Sequence, residues 1–217
     1  MKLGLALSGG GIRGIAHAGV LKALEENNIK IDVIGGTSSG SIISALYAMG
    51  YTPYYIYILF KRYARDLVNR NSMSTITSLK SFMVNKKINF SGFYSGEEIE
   101  KAFNEVAKRK GIKKISDIKM PIVIPAVDVK DSNEYIFTNN MPEGTKDKNK
   151  YITDISIGKA IRASSSFPVA FSPCIYENHK FLDGGILDNF PTTEVKKQGV
   201  DKVLTVNFMP DEIDEDS

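Results

Sequence analysis

Twice within residues 1–50 the chain passes from a short apolar run through a glycine-rich turn into a helical pattern, and this repeat limits the possible folds more than any other feature. "KLGLAL" leads through "SGGGIRG" into "IAHAGVLKALEENN", where Ile15, Ala18, Val20, Leu21 and Leu24 recur at helix-like intervals. "IDVIGG" leads into "SSGSIISALYAMG", with Gly50 placed to stop the helix. Two such units in succession predict an α/β chain with a parallel sheet covered by helices, since parallel strands need long crossovers to connect them. Later, "MPIVIPAVDV" and "EYIFTN" read as strands, "TDISIGKAIRASS" as a capped helix, and "KVLTVNF" as a last buried strand.

Residues 51–110 depart from this rhythm. "YTPYYIYILFKRYARDLVNR" has the pattern of an aromatic-rich amphipathic helix. "SGEEIEKAFNEVAKRKG" opens on a Ser95 to Glu98 capping box and carries Ile99, Phe103 and Val106 at apolar positions. The stretch between them is less regular. The expected organisation is one domain over residues 1–210, with 51–110 a helical cap or insertion within it, followed by an acidic disordered tail at 211–217. The aromatics of the insertion would serve equally well for packing on the sheet.

Composition narrows the function classes. Hydrophobic residues make up 42% of the 217, enough for a globular core. The lone Cys174 cannot form an internal disulfide or a cysteine metal cluster, and two histidines, His17 and His179, leave little for a zinc site, so no metal or other cofactor is expected. No apolar run is long enough to span a bilayer, and "MKLGLALSGGG" turns glycine-rich too early for a signal-peptide core, which predicts a cytoplasmic chain. The net charge of +3 conceals five acids in "DEIDEDS"; without them the first 210 residues stand at +8. So basic a body suits an anionic surface such as a membrane face or nucleic acid, though scattered lysines equally serve solubility.

The residues that suggest chemistry lie in four stretches. In "VIGGTSSGSI" a strand must reverse into a helix within a few residues, which needs small residues beside the turn; Gly36 and Gly40 supply them. The order Gly36, Thr37, Ser38, Ser39, Gly40 sets Ser38 at the apex as a nucleophile and leaves Ser39 off it, although the same residues would also make an ordinary Gly/Ser turn. Gly9, Gly10, Gly11, Ile12, Arg13 and Gly14 lie between strand and helix, where bare N–H groups favour negative charge and form an oxyanion or phosphate cradle. A nucleotide- or phosphate-binding α/β module is the rival reading of that loop. Such a module would want an acid closing the second strand, where the Gly36–Gly40 elbow lies instead. "FLDGGILDNFP" places Asp183 at a strand end before Gly184 and Gly185, as a candidate base or as an Asp-Gly turn. "ASSSFP", residues 163–168, ends a predicted helix and would shape a wall near the site. A Ser-His-Asp order with a late histidine fails, because none follows Asp183.

Taken together, these stretches resemble the patatin-like phospholipase family, whose four signature blocks occur here in order. Its glycine-rich oxyanion motif matches Gly9–Gly14 with Arg13 in the basic position, and its GxSxG nucleophile motif matches Gly36–Gly40. Its A-S-x-x-x-P block matches Ala163–Pro168 and its D-G-G block matches Asp183–Gly185. The resemblance implies a three-layer α/β/α fold with a mainly parallel central sheet and a Ser38–Asp183 catalytic dyad served by glycine-loop N–H donors. It also implies a lipid or other acyl ester as substrate, met at a membrane or lipid-aggregate surface, and no nucleic-acid partner. Two departures stand out: Ser8 occupies a position where plant members often carry aspartate, and the chain ends soon after "KVLTVNF", where many relatives continue in helices. The aromatic and lysine-bearing stretch from Tyr51 to Lys87 is the expected interfacial contact.

Overall fold

A computed structural model of the chain describes residues 1–65, 96–168 and 170–208. Strands β1 (Leu3–Leu7) and β2 (Val33–Gly36) feed helices α1 (Ala16–Glu26) and α2 (Ser39–Ala48), the first through a 3-10 turn over Gly11–Ile15. Gly50, at φ 79°, follows the end of α2 as a left-handed stop. A third helix, α3, covers residues 53–65, and α4 spans Glu97–Lys108. Beyond them come β3 (Ile122–Asp128), β4 (Asn133–Thr138), β5 (Tyr151–Ile152), α5 (Ile157–Ser164), β6 (Cys174–Tyr176), β7 (His179–Asp183), α6 (Thr192–Lys197) and β8 (Lys202–Val206).

The sheet runs β5-β4-β3-β2-β1-β8, with β7 attached to β3 and β6 to β7. Among the described residues four of its seven strand pairings are parallel, including all those of β1 and β2. Side chains alternate between two cores with the period of two that a pleated strand imposes. Leu5, Leu7, Ile34, Ile122, Ile124, Tyr135 and Phe137 face the larger core, under α1, α2, α3, α4 and α5. Ala6, Val33, Val123 and Ile136 face a smaller one closed by Val195 of α6 and by Val200. A mostly parallel central sheet thus lies between helices on both faces, as the repeated strand–turn–helix pattern predicts.

One feature of the pairing builds the site. Strand β3 pairs with β2 only at Ile122 and Val123, and with β7 only from Ala126 to Asp128. Pro125, which has no N–H to give a ladder, lies between the two partners. Because β2 is parallel and β7 antiparallel to β3, their C-terminal ends meet head-on, and the residues that follow β2 come face to face with Asp183 at the end of β7.

The structure corrects two sequence readings. Strand β8 is an edge strand with a largely exposed pattern, because it pairs with β1 alone among the described residues and Leu204 stands 40% exposed. Helix α4 is capped by Gly96 in a left-handed conformation, with no side-chain cap bond, and gathers Glu97, Glu98 and Glu100 in its first turn, where acids suit the helix dipole. Ser95 of the expected capping box lies outside the described residues, as do most of the segment between α3 and α4 and the acidic stretch 211–217.

Candidate active site

Ser38 sits between β2 and α2 with φ 51° and ψ −119°, a conformation that non-glycine residues adopt only when the surroundings enforce it. The enforcement is steric. A methyl group on Gly36 would run into the Gly40 carbonyl, and one on Gly40 would meet the Leu7 carbonyl and lie 2.7 Å from the Ser8 oxygen. The elbow therefore closes only with glycine at both positions. Gly40 N–H and Ser41 N–H bond back to the Thr37 and Ser38 carbonyls at 2.8 and 3.0 Å, starting the helix immediately. Ser39 turns inward, 4% exposed and packed against Gly14, so Ser38 and not Ser39 holds the apex.

Two hydrogen bonds from the end of α5 reach both halves of the pair. Ser164 Oγ, fully buried, accepts the Ser38 N–H at 3.0 Å, and the Ser166 carbonyl accepts the Asp183 N–H at 3.1 Å. Asp183 itself is 2% exposed. Its Oδ1 accepts the Gly185 N–H at 2.8 Å, while its buried Oδ2 closes no hydrogen bond by strict geometry. Burial pushes the Asp183 carboxyl up to about 6, against the Ser38 hydroxyl and the Gly185 N–H, which favour its ionised form. The Ser38 side chain is thus close enough to the Asp183 carboxyl to favour its ionised form. Gly184 is held against the Pro125 carbonyl, where a Cβ would approach to 2.5 Å.

The glycine loop lies against this pair. A methyl on Gly9 would come within 3.2 Å of the Ser38 Cβ and 2.6 Å of Asn189 Oδ1. Asn189 Oδ1 accepts the Gly9 N–H at 3.1 Å, and Thr37 Oγ1 donates to the Asp188 carbonyl at 3.0 Å, so residues 184–190 tie the loop and the elbow together. The Arg13 N–H turns back to the Gly10 carbonyl at 3.2 Å. Among the described residues the N–H groups of Gly10, Gly11 and Ile12 donate to no backbone or side-chain oxygen, which leaves them as the loop's available donors. The Phe208 ring packs on Gly10 and beside the His17 ring at 4.6 Å, and Arg13 reaches over it.

Neither histidine points at Ser38. His17 Nε2 bonds the Ser8 carbonyl at 2.9 Å from beneath the glycine loop, and burial lowers its pKa. His179 Nδ1 pairs with Asp128 Oδ2 at 2.7 Å, at the start of β7 and away from Asp183 at its end. Asp188 carries a raised pKa from burial, but its Oδ1 is engaged by the Phe190 N–H at 2.9 Å. Among the described residues no cluster of histidine, cysteine and acids is arranged to hold a metal. Sequence reasoning missed the bonding roles of Ser164, Ser166 and Asn189, although all three lie inside stretches it singled out. It also missed Tyr63 of α3, whose phenol pKa is raised by burial and by the charge of Asp183. Helical spacing marked Tyr63 as amphipathic without showing what it would face.

A strained serine on a strand-to-helix elbow and a glycine loop, both at the C-terminal ends of parallel strands, thus meet a buried acid at the end of β7. A family model described as patatin-like phospholipase matches residues 5–196, and the chain belongs to that family. Among curated proteins it is 32% identical over 205 residues to Lysophospholipase NTE1 of Meyerozyma guilliermondii, covering 94% of this chain and 12% of that one. To Lysophospholipase NTE1 of Saccharomyces cerevisiae it is 31% identical over 208 residues, covering 94% and 11%. The chain therefore spans roughly an eighth of the length of these relatives. VipD from Legionella pneumophila shares the fold, with a TM-score of 0.52 at 15% identity over 94% of this chain and 49% of that one. Among the described residues no helix is long and apolar enough to cross a membrane.

Proposed function

We propose that this chain hydrolyses lipid acyl esters through a Ser38–Asp183 dyad, without a histidine. The observation that carries the reading is the head-on meeting of β2 and β7, which sets the strained Ser38 beside a buried carboxyl that its hydroxyl already influences. A serine hydroxyl is a weak nucleophile at neutral pH and needs a base within reach. Asp183, raised to about 6, is still ionised at pH 7 and is a stronger base than an ordinary aspartate. Ser38 Oγ attacks the ester carbonyl carbon as its proton passes to Asp183, and the charge that develops on the carbonyl oxygen falls to N–H donors of Gly10 and Gly11. Collapse of the adduct breaks the ester C–O bond, and the leaving alkoxide takes the proton back from Asp183. Water then attacks the acyl-serine, gives its proton to Asp183, and the Ser38 oxygen leaves and recovers that proton.

The rim supports an apolar substrate. Ile12, Phe167, Ile186 and Leu187 are 46–58% exposed and come from three of the loops that frame the pair. Tyr54, Tyr57 and Ile58 are exposed on α3, whose far end carries Tyr63 toward Asp183. Side chains of this kind suit acyl chains and a peripheral contact with a lipid aggregate. The remainder of the Tyr51–Lys87 stretch, beyond residue 65, lies outside the described residues.

The test is a fluorophosphonate label mapped by mass spectrometry together with hydrolysis of a p-nitrophenyl acyl ester. Label on Ser38, and loss of both label and turnover in Ser38→Ala while Ser39→Ala keeps them, is the expected result. A folded Ser38→Ala protein that still turns over the ester would end the proposal.

A further inference from the structure

We propose that the cavity on the α6 face of the sheet, between β4, β5 and α6, binds a small organic ammonium ligand on the carboxylate of Glu134. The cavity has a volume of about 660 Å³ and is lined by Glu134, Ile136, Pro142, Tyr151, Glu194 and Lys197, with Lys146 and Lys150 also in its wall. Strand alternation puts Glu134 on the same face as Ile136, half-buried beside the smaller core. Its Oε1 is buried and has no hydrogen-bond partner among the described residues. A buried carboxylate oxygen without a partner is costly, so its survival calls for a donor that the described residues do not supply.

The two nearest cations are turned elsewhere. Lys197 Nζ bonds Glu194 Oε1, and Glu194 Oε2 takes the Tyr151 hydroxyl at 2.8 Å. Lys150 Nζ donates to Asn133 Oδ1 at 3.1 Å and lies 3.8 Å from Asp147. With Glu134 ionised, the lining acids Glu134, Glu143, Asp147 and Glu194 outnumber the three lysines by one. A bound cation balances that charge, whereas an anion would add to it. Among the described residues the acids are not arranged to hold a metal, whereas Ile136, Pro142 and the Tyr151 ring offer an organic cation apolar surface. Burial, together with the charges of Asp188 and Glu194 and against those of Lys197 and Lys150, pushes Glu134 up to about 7. An ammonium group needs it ionised, so binding strengthens as pH rises through that value.

The experiment is an NMR titration of the 217-residue chain with n-butylammonium chloride, and separately with sodium butyrate, at pH 8 and pH 6. Saturable shifts confined to β4, β5, residues 142–151 and α6 are expected with butylammonium, weaker by about tenfold at pH 6, as the loss of ionised Glu134 dictates. Glu134→Gln should abolish them, and butyrate should cause none. Absence of saturation with butylammonium at pH 8, an equal response to butyrate, or equal affinity at the two pH values overturns the proposal using the unmodified protein alone. Retained binding in a folded Glu134→Gln protein does so as well.

Discussion

After β1 the chain spends the whole 3-10 turn Gly11–Ile15 before α1 begins, whereas after β2 only Thr37 and Ser38 separate strand from helix. Among the described residues the longer turn leaves backbone N–H groups unused at Gly10, Gly11 and Ile12. The shorter one uses its backbone at once for helix bonds and throws a side chain outward at φ 51°. Glycine serves the two for different reasons. At Gly36 and Gly40 other backbone occupies the space of a side chain, while at Gly11 the space is open and only the positive φ of 58° favours glycine. One turn presents backbone N–H groups and the other a serine side chain, and the close approach of Gly9 to Ser38 brings the two together.

The sharpest way to break that comparison is to remove the partner that the elbow alone possesses. Asp183→Asn keeps an acceptor for the Gly185 N–H but cannot take a proton, so kcat on a soluble ester should fall by a hundredfold to ten-thousandfold, on the order expected for a lost general base. In the unaltered protein kcat/KM should rise with pH through about 6 as Asp183 ionises. Stability should move the other way. The folded state holds the Asp183 proton more tightly than the unfolded chain, so this group's contribution is full below about 4 and disappears as pH rises through about 6. Two pKa units correspond to about 3 kcal/mol, so Asp183→Asn should unfold at a higher temperature than the parent at pH 8. An Asn variant that is no more stable at pH 8 would show that the carboxyl is better solvated than its burial indicates.

Substituting the glycines tests the two turns against each other. Gly40→Ala forces a methyl into the Leu7 and Ser8 carbonyls and should cost about 3 kcal/mol in thermal unfolding, with Ser38 labelling lost. Gly11→Ala meets no atom and should cost about 1 kcal/mol, for its left-handed backbone, with labelling retained. Equal costs would mean that the elbow can open, and the distinction drawn between the turns would go.

Both turns were legible in the sequence because each is local. Glycine spacing, apolar runs and helical intervals all act within about ten residues, and the elbow's apex follows from the order Gly36 to Gly40. What was not legible depends on segments far apart in the chain. Ser164 reaches the Ser38 N–H across 126 positions and Asn189 reaches Gly9 across 180, and no periodicity encodes either. The head-on meeting of β2 and β7 is likewise a matter of which strand takes each half of β3. The apolar run at β8 failed to predict burial for the same reason, since burial there depends on a neighbouring strand rather than on the run itself.

A smaller effect separates the turns at the surface. Ile12 is the apolar residue that the first turn shows to solvent, 51% exposed, and the elbow shows none. Ile12→Ser should weaken sedimentation with phospholipid vesicles by about fivefold, the loss expected for roughly half a buried aliphatic side chain. Ser38 labelling in solution should be unchanged. Unaltered vesicle binding would take the glycine loop out of the lipid contact and leave that role to Phe167, Ile186, Leu187 and α3.

The smallest effect is expected beneath the first turn. Burial lowers the pKa of His17, whose Nε2–H donates to the Ser8 carbonyl and whose ring lies tilted beside Phe208, so it supports the glycine loop from below. His179 spends its Nδ1 on Asp128 at the opposite end of β7 from Asp183. Glutamine in place of His17 can still donate to the Ser8 carbonyl, and in place of His179 it can still donate to Asp128. The double variant His17→Gln with His179→Gln should therefore lose some thermal stability while keeping kcat on a short soluble ester within about tenfold, a barrier change of roughly 1.4 kcal/mol. A soluble ester removes the interfacial step, so kcat there reports the chemistry alone. If a folded double variant instead loses a thousandfold, a histidine takes part in proton transfer, and the elbow would then need a partner from beneath the first turn as well as from β7.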